Sequence, residues 1–323
     1  MYAITTPSFG DPEVLTWAEV DTPTPAPGEL LIRTVAAGVN RADVLQRKGH
    51  YPPPPGISEV IGLEVSGHVE ALGAGVTGWT VGDPVVALLS GGGYAEFVVA
   101  PAGQCVPPPE GIDLVTAGAV IEVAATVVSN LDEAGLGEGD TFLVHGGSGG
   151  IGSFAIQYAK ALGARVLTTA GSDEKLDYCR DLGADVALNY RDDWQAGVAE
   201  ATDGRGVDVI LDNMGAKYLM PNVKALADDG RLMIIGLQGG VKGELNLNTL
   251  LTKRASVTAM SLRGRPVEQK AAICDRVRES VWPRLADGSI TPTREARVPL
   301  REAARAHELL DSGDNIGKII LVA

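Results

Sequence analysis

The amino-acid sequence predicts an α/β protein in which a β-rich part accompanies a doubly wound parallel sheet. Three observations predict this: a glycine-rich turn at residues 146–152, an alternation of strands and helices that begins at Asp140, and short β-like runs before it. The alternation is typical of parallel sheets with helices on both faces. The short runs, separated by proline and glycine, are typical of a β barrel or sandwich.

The glycine-rich turn follows a short apolar strand and precedes a helix, whose apolar residues recur at helical spacing over 151–162. Gly147, Gly149 and Gly152 fit the pattern G-x-G-x-x-G, in which the first glycine makes the tight turn and the second lets the backbone approach a pyrophosphate. The third glycine lets the helix pack on the strand. Free N–H groups and the helix dipole would then hold phosphates. The predicted phosphate-binding residues are Gly147, Gly149, Gly150, Ile151 and Gly152.

The remaining elements follow from the same patterns. The β-like runs of the first part are Glu29–Ala36, Glu59–Leu72, Pro84–Leu89 and Tyr94–Val99. The strands predicted after Asp140 are Thr141–Val144, Arg165–Thr169, Val186–Asn189, Val207–Asp212, Arg231–Gly236 and Ala255–Met260. In the tail we expect a helix over Val267–Leu285, a strand near Arg297, a helix from Arg301 and a final strand, Lys318–Val322.

Composition excludes several classes of function. A chain of 323 residues suggests about two domains, and a net charge of −14 argues against a nucleic-acid or anionic membrane surface. No signal peptide or apolar run of membrane-spanning length is seen, so we expect no membrane partner. Cys105, Cys179 and Cys274 form neither a disulfide framework nor a metal spacing, which favours free thiols in a cytoplasmic protein.

The second predicted strand of the parallel sheet indicates which dinucleotide is bound. NAD sites usually carry an acidic residue at this strand tip, where this chain has Ala170-Gly171-Ser172. The Ser172 hydroxyl and Lys175 suit a 2′-phosphate, which favours NADP, although Asp173 and Glu174 weaken the case if they point inward. The alternative is that Ser172 caps the helix and Lys175 is solvated.

Five stretches together resemble one known family. They are Gly38-Val39-Asn40-Arg41-Ala42-Asp43, Tyr51-Pro52-Pro53-Pro54-Pro55-Gly56, Gly62-Leu63-Glu64-Val65-Ser66-Gly67-His68-Val69, the glycine loop, and Asn315-Ile316-Gly317-Lys318. Their order and spacing resemble the zinc-free quinone oxidoreductases of the medium-chain dehydrogenase/reductase superfamily. Within that family the p53-inducible quinone oxidoreductase branch and then zeta-crystallin are most similar.

The resemblance implies a GroES-like β-rich catalytic domain, residues 1–124 and 264–323, and a Rossmann domain, residues 125–263. It implies NADPH as cofactor and a quinone as substrate. Relatives usually form homodimers or homotetramers by joining Rossmann sheets edge to edge, and the β-prone residues 256–261 could supply that edge.

The chain departs from the zinc-dependent alcohol dehydrogenases at the positions that hold catalytic zinc. The matching residues are Asn40, Leu63 and Glu122. Asn and Leu cannot supply the thiolate and imidazole that zinc prefers, and a lone carboxylate would not hold the ion. We therefore expect no metal, and hydride delivery to an acceptor that is already electrophilic.

Three residues are candidates for the acceptor site. By resemblance Asn40 and Tyr51 line the acceptor pocket, where Tyr51 could hydrogen-bond or protonate the reduced oxygen. Tyr51 could instead pack on the four-proline run, and Asn40 could be a turn residue. Glu122 could hold Asn40 or a water in place, or form a salt bridge with Arg41.

The resemblance also implies cofactor contacts beyond the glycine loop. Thr126 matches a threonine near the nicotinamide, with an ordinary helix hydroxyl as the alternative, and Lys318 could instead be solvated. The set that the resemblance implies is Asn40, Thr126, Tyr190, Gly236, Leu237, Ser261, Leu262, Arg263, Asn315 and Lys318, to which the strand-tip argument adds Ser172 and Lys175.

Three functions remain open at this point. The first is NADPH-dependent reduction of quinones, and the second is reduction of 2-alkenals or enones on the same scaffold. The third is a low-turnover NADPH-binding protein with a structural or RNA-binding role, which the charge of −14 disfavours.

Overall fold

The computed structural model describes residues 1–323, which divide into two compact units. Unit 1 consists of Met1–Ala125, Leu262–Gly288 and Pro292–Ala323, and unit 2 of Thr126–Ser261 and Ser289–Thr291.

The strands, in chain order, are β1 (Tyr2–Thr5), β2 (Thr16–Glu19), β3 (Glu29–Val39), β4 (Glu64–Leu72), β5 (Pro84–Leu88), β6 (Phe97–Pro101), β7 (Cys105–Val106), β8 (Thr141–His145), β9 (Arg165–Ala170), β10 (Val186–Asn189), β11 (Val207–Asp212), β12 (Leu226–Ile234), β13 (Ser256–Ala259), β14 (Glu295–Pro299) and β15 (Lys318–Val322). The helices are α1 (Arg41–Arg47), α2 (Leu114–Ala117), α3 (Ile121–Ala134), α4 (Gly150–Ala161), α5 (Asp173–Asp181), α6 (Trp194–Ala201), α7 (Leu219–Ala225), α8 (Leu247–Lys253), α9 (Val267–Ser280), α10 (Trp282–Ala286) and α11 (Ala303–Ser312).

Unit 2 contains a sheet of six parallel strands in the order β10-β9-β8-β11-β12-β13. Fully buried Leu143, Leu167, Ile210 and Leu232 contribute to its core. The chain builds outward from β8 to one side and then from β11 to the other, so the strand order reverses between these two strands. Ligands of such sheets bind outside the carboxyl ends of the strands at this reversal.

Unit 1 is organised around a mostly antiparallel sheet in the order β14-β15-β3-β4-β5-β7, with β6 also paired to β3. The last strand of the chain enters this sheet beside β3, where Ile319 lies opposite Val39. Ile32, Val65 and Leu321 are fully buried in its core. The tail of the chain therefore completes the sheet that the first hundred residues begin.

Several predicted elements differ from those observed: the strand expected over Tyr94–Val99 is β6, the strand expected over Arg231–Gly236 is β12, and two further differences have a clear physical reason. The helix expected over Val267–Leu285 is two helices, because Pro283 in the first turn of α10 has no N–H with which to continue the hydrogen bonding of α9. The strand expected from Glu59 begins at Glu64, after Gly62 at a φ of +114°, which is not a strand conformation. No helix has the length and apolar character needed to span a membrane.

Candidate functional site

The glycine loop of unit 2 has the geometry of a phosphate-binding turn, with one correction to its details. The left-handed residue is Gly146, at a φ of +72°, and not Gly147, to which the pattern assigned the tight turn. Gly147 is required because a Cβ there would overlap the Thr168 hydroxyl on the neighbouring strand. At Gly152 a Cβ would overlap the backbone of the turn itself.

The start of α4 leaves room for a ligand. Gly149 is the residue before the helix, and a Cβ there would meet nothing closer than the Gly146 carbonyl at 3.5 Å. Gly150 and Ile151 follow in the first turn and are partly exposed. Because the first amides of a helix lack partners within the helix, this turn of a 12-residue helix suits a pyrophosphate.

The 2′-phosphate candidates gather at the ends of β9 and β10. Ser172 precedes α5, and its hydroxyl makes no capping hydrogen bond, so the capping alternative is wrong. Tyr190 packs over Gly171 so closely that any Cβ there would overlap the phenol oxygen. Lys175 lies half-buried one turn into α5.

Arg191 is a further candidate that the sequence analysis missed. Its guanidinium donates to the Gly171 carbonyl and lies 5.8 Å from the centre of the Tyr190 ring. An arginine beside Ser172 and Tyr190 suits a phosphate dianion. The signal was present in the sequence, because Arg191 directly follows Tyr190.

Three other predicted cofactor residues follow strands β12 and β13, at the same carboxyl edge of the parallel sheet, and a fourth lies on α3. Gly236 follows β12, where a Cβ would meet the Asn213 carbonyl at 2.8 Å, and Leu237 is 53% exposed. Ser261 follows β13 and is exposed. Thr126, on α3, is half-buried, and its carbonyl accepts a hydrogen bond from the Asn130 amide at 2.8 Å.

In unit 1, Asn40 is the centre of a buried polar cluster. Its amide nitrogen donates to Glu64 Oε1 at 2.9 Å and its oxygen accepts from Lys318 Nζ at 2.7 Å. Lys318 Nζ also donates to the same Glu64 oxygen at 2.7 Å, so the three side chains form a closed triad. Gly38 is required beside them, because a Cβ there would overlap the Glu64 carboxylate.

The triad changes the interpretation of Lys318. The alternative that this lysine is solvated is wrong, because its side chain is 5% exposed and pairs with fully buried Glu64. Its ammonium also donates to the Val39 carbonyl at 3.3 Å, so all three N–H groups are used within unit 1. Its geometry is that of a residue holding Asn40 rather than of a direct cofactor contact. Asn315, the other predicted contact of the tail, donates to the Gly317 carbonyl at 3.2 Å.

Glu64 is the central residue that sequence reasoning left without a role. It is a carboxylate in a run of apolar residues, and such a buried charge requires a partner. That pattern was visible in the sequence, but the partner comes from the last strand, 254 residues away.

The backbone of Glu122 makes a hydrogen bond to the triad. Its N–H donates to Glu64 Oε2 at 3.0 Å, which places the start of α3 against the carboxylate. Arg41, suggested as a salt-bridge partner of Glu122, instead pairs with Asp311 at 3.0 Å and donates to the Leu310 carbonyl.

Arg263 holds the Tyr51 segment in place. Its guanidinium donates to the Tyr51 carbonyl at 3.1 Å, to the Ser90 carbonyl at 2.7 Å and to Gln46 Oε1 at 2.6 Å. The Tyr51 ring lies 5.1 Å from the guanidinium carbon, within range of a cation–π contact. Arg263 therefore uses its donors on unit 1, and neighbouring Leu262 is partly exposed.

A second buried chain runs behind Asn40. Asp43 Oδ2 accepts from the Asn40 backbone N–H at 2.8 Å and from the Tyr94 hydroxyl at 3.0 Å. Tyr94 also contacts His307 Nε2 at 3.2 Å, and Arg47 lies 3.3 Å from His307 Nδ1. Burial raises the pKa of Asp43 to about 7, while it lowers the pKa of His307 to about 3.

Two of the residues that the resemblance matches to zinc-ligand positions, Asn40 and Leu63, have side chains that do not suit zinc. Asn40 is committed to Glu64 and Lys318, and Leu63 is buried and apolar. No three or more His, Cys, Asp or Glu side chains are grouped so that they could hold a metal ion.

Comparison with known proteins agrees with this architecture. Residues 26–110 match the alcohol dehydrogenase GroES-like domain and residues 150–276 the zinc-binding dehydrogenase family. The chain is 32% identical over 330 residues to the quinone oxidoreductase of Rattus norvegicus, with 100% of this chain and 98% of that protein covered. It is 31% identical over 329 residues to a 2-haloacrylate reductase of a Burkholderia species, with 97% and 96% covered.

A solved structure is similar over the whole chain. Escherichia coli quinone oxidoreductase, complexed with NADPH, has a TM-score of 0.90 and 30% identity, with 100% of both chains covered. A GroES-like domain together with a doubly wound parallel sheet defines the medium-chain dehydrogenase/reductase class. Within that class, the chain belongs to the quinone oxidoreductase family.

Proposed function

We propose that this protein binds NADPH and uses it to reduce quinones without zinc. The observation that carries the proposal is the Asn40–Glu64–Lys318 triad: the family resemblance matches Asn40 to a zinc-ligand position, and here Glu64 and Lys318 bind its side chain. A site built this way offers no Lewis acid, so its acceptor must already be electrophilic. The NADPH complex of the Escherichia coli relative and the cluster of Ser172, Lys175 and Arg191 support the choice of cofactor.

When bound, the reduced nicotinamide supplies the hydride. Asn40 holds a fixed orientation because Lys318 and Glu64 bind its two ends, and its remaining N–H reaches the Gly38 carbonyl only at 3.5 Å. This long contact with Gly38 is the one that a bound ligand would replace, and Asn40 would then orient that ligand. Tyr51, whose main chain Arg263 holds, donates its phenolic proton to the acceptor oxygen that gains charge.

The test is the loss of nicotinamide absorbance, with NADPH and NADH run separately against 1,2-naphthoquinone, 1,4-benzoquinone and a 2-alkenal. We expect NADPH oxidation by a quinone at a rate that EDTA does not change. The variant Tyr51→Phe removes one hydroxyl and should lower kcat about 100-fold or more, in the range of general acid catalysis. Tyr2→Phe is the matched control, because Tyr2 is exposed on β1 and stacks on Trp17.

Other results would move the assignment. Turnover of the alkenal alone would favour an enone reductase, for which the similarity to a 2-haloacrylate reductase is the supporting observation. Tight NADPH binding without turnover, together with RNA retained on a filter at low salt, would favour the binding-protein function. Zinc-dependent turnover would contradict the proposal.

We further propose that the protein is a homo-oligomer joined through unit 2. Strand β13 ends its sheet with one edge unpaired, and Leu247 and Leu251 on the preceding helix are 70% and 76% exposed. An unpaired edge next to exposed leucines suits pairing with a second copy. A sedimentation coefficient that stays monomeric at all concentrations would contradict this. The free, buried state of all three cysteines supports a reducing, cytoplasmic location.

A further inference from the structure

His145 lies at the point of unit 2 where ligands of doubly wound sheets bind. It is the last residue of β8, directly before the left-handed Gly146, and its neighbour strand β11 ends at the buried carboxylate Asp212. The imidazole is 2% exposed, so it is not itself a contact for a ligand. Neither the sequence patterns nor the proposed reaction gives it a role.

The ring of His145 is held from four sides. Its Nε2 lies 2.8 Å from Asn222 Oδ1 and its Nδ1 lies 3.0 Å from Thr169 Oγ1. The rings of Trp194 and Tyr218 contact it edge to face, with centroids 4.9 and 4.8 Å away. The imidazole therefore has one orientation.

The neighbours also fix which nitrogen carries the proton. Burial lowers the pKa of His145 to about 4, so the ring is neutral at pH 7. The atom of Asn222 that faces His145 is its side-chain oxygen, 2.8 Å from Nε2. Since a carbonyl oxygen only accepts, Nε2 carries the hydrogen and Nδ1 is the acceptor.

This tautomer determines the direction of the next hydrogen bond. Nδ1 accepts from the Thr169 hydroxyl, whose oxygen lone pairs are then left for the Gly146 N–H at 3.4 Å. The Thr169 carbonyl accepts from the Gly147 N–H at 2.9 Å. Thr169 thus binds both amides at the entry of the glycine loop, and His145 sets the direction of its hydroxyl.

We propose that His145 is a positioning residue for the dinucleotide: through Thr169 it sets the entry of the glycine loop, so that the amides at the start of α4 face the pyrophosphate. This inference rests on the proposed binding of NADPH. It extends the proposed function to a residue that touches neither cofactor nor substrate.

The test compares two pairs of variants in equilibrium titrations with NADPH and with adenosine 2′-monophosphate, which lacks the pyrophosphate. Thr169→Val removes the hydroxyl and Thr169→Ser keeps it. His145→Leu removes the acceptor, whereas His145→Asn places an amide oxygen near the position of Nδ1.

We expect the Kd for NADPH to rise about 5- to 10-fold in Thr169→Val and His145→Leu, because each loses one oriented hydrogen bond. The Thr169→Ser and His145→Asn variants should recover most of the lost affinity for NADPH. The Kd for adenosine 2′-monophosphate should stay within about twofold of the wild-type value in all four variants.

Hydrogen exchange of the amides of Gly146 and Gly147 in the ligand-free protein provides a second readout. It should be faster in His145→Leu than in His145→Asn, whether or not NADPH is the cofactor. Equal weakening of both ligands, an Asn variant as impaired as the Leu variant, or unchanged exchange would overturn the role of His145. Failure of the wild-type protein to bind NADPH, with the exchange difference present, would instead overturn the proposed cofactor.

Discussion

The two units hold their candidate site residues by different physical means. Unit 1 fixes Asn40 and Tyr51 with buried full charges, the Lys318–Glu64 ion pair and the guanidinium of Arg263. Unit 2 fixes its glycine loop with backbone amides, the Thr169 hydroxyl and neutral His145.

The difference follows from what each unit must present. A loop that binds a phosphate anion needs free N–H groups and close backbone approach, for which glycine suffices. The Asn40 side-chain amide must be held in one orientation, which requires strong, directional partners at both its nitrogen and its oxygen. A buried ion pair supplies them, but removing one partner leaves an uncompensated charge. Mutations should therefore unfold unit 1 more easily than they unfold unit 2.

The largest effect is expected from breaking the ion pair. Lys318→Met leaves the Glu64 carboxylate buried without its cation and should lower the free energy of unfolding by about 3–5 kcal/mol, measured by urea denaturation. The double variant Lys318→Met/Glu64→Gln removes both charges and should recover a large part of the loss. A single variant as stable as the wild type would show that the pair contributes little.

A smaller effect on the free energy of unfolding is expected from the titration of Asp43, and it depends on pH. Its pKa is raised from 3.8 to about 7 because it is buried, so the folded chain keeps this proton over a range in which the unfolded chain has lost it. The free energy of unfolding therefore falls as pH rises from 4 to 7. Asp43→Asn does not titrate, so its stability relative to the wild type should increase over this range by about 2–3 kcal/mol.

Asp229→Asn is the control for this experiment. The Asp229 carboxyl is exposed and its pKa is lowered by Arg254, so it titrates below the same range and the stability difference should stay flat. The charges that face Asp43 include Lys318, which acts to lower its pKa, and Glu64, which acts to raise it. A stability difference that decreases with pH would show that Lys318 outweighs burial.

The sequence predicted the parallel sheet and the glycine loop because their signals are local. Strand, turn and helix follow one another within residues 141–161, and spacing alone identifies them. It could not assign the left-handed turn to Gly146, because Gly146 and Gly147 are neighbouring glycines and both tolerate a positive φ.

The buried polar contacts that hold Asn40 and Tyr51 in unit 1 were predictable only in part. The resemblance singled out Asn40, Tyr51 and Lys318, but no local pattern joins a lysine of the last strand to Glu64. Arg263 was expected beside the nicotinamide, while its guanidinium binds the Tyr51 and Ser90 carbonyls. Such pairings arise from the topology of the sheet, because β15 enters it next to β3.

The smallest effect is expected on the preference for NADPH over NADH. It tests whether unit 2, like unit 1, uses charged side chains, here to bind the 2′-phosphate. Arg191 and Lys175 lie at the ends of β9 and β10 with few buried contacts, so their removal should leave stability within about 0.5 kcal/mol. Arg191→Ala should raise the Kd for NADPH about tenfold, equivalent to about 1.4 kcal/mol, and leave the Kd for NADH unchanged. Arg180→Ala is the matched control, since Arg180 lies on the same helix as Lys175 and pairs with Asp177 one turn earlier. An equal loss for NADPH and NADH in Arg191→Ala would show that Arg191 shapes the adenosine pocket through Tyr190 and does not bind the 2′-phosphate.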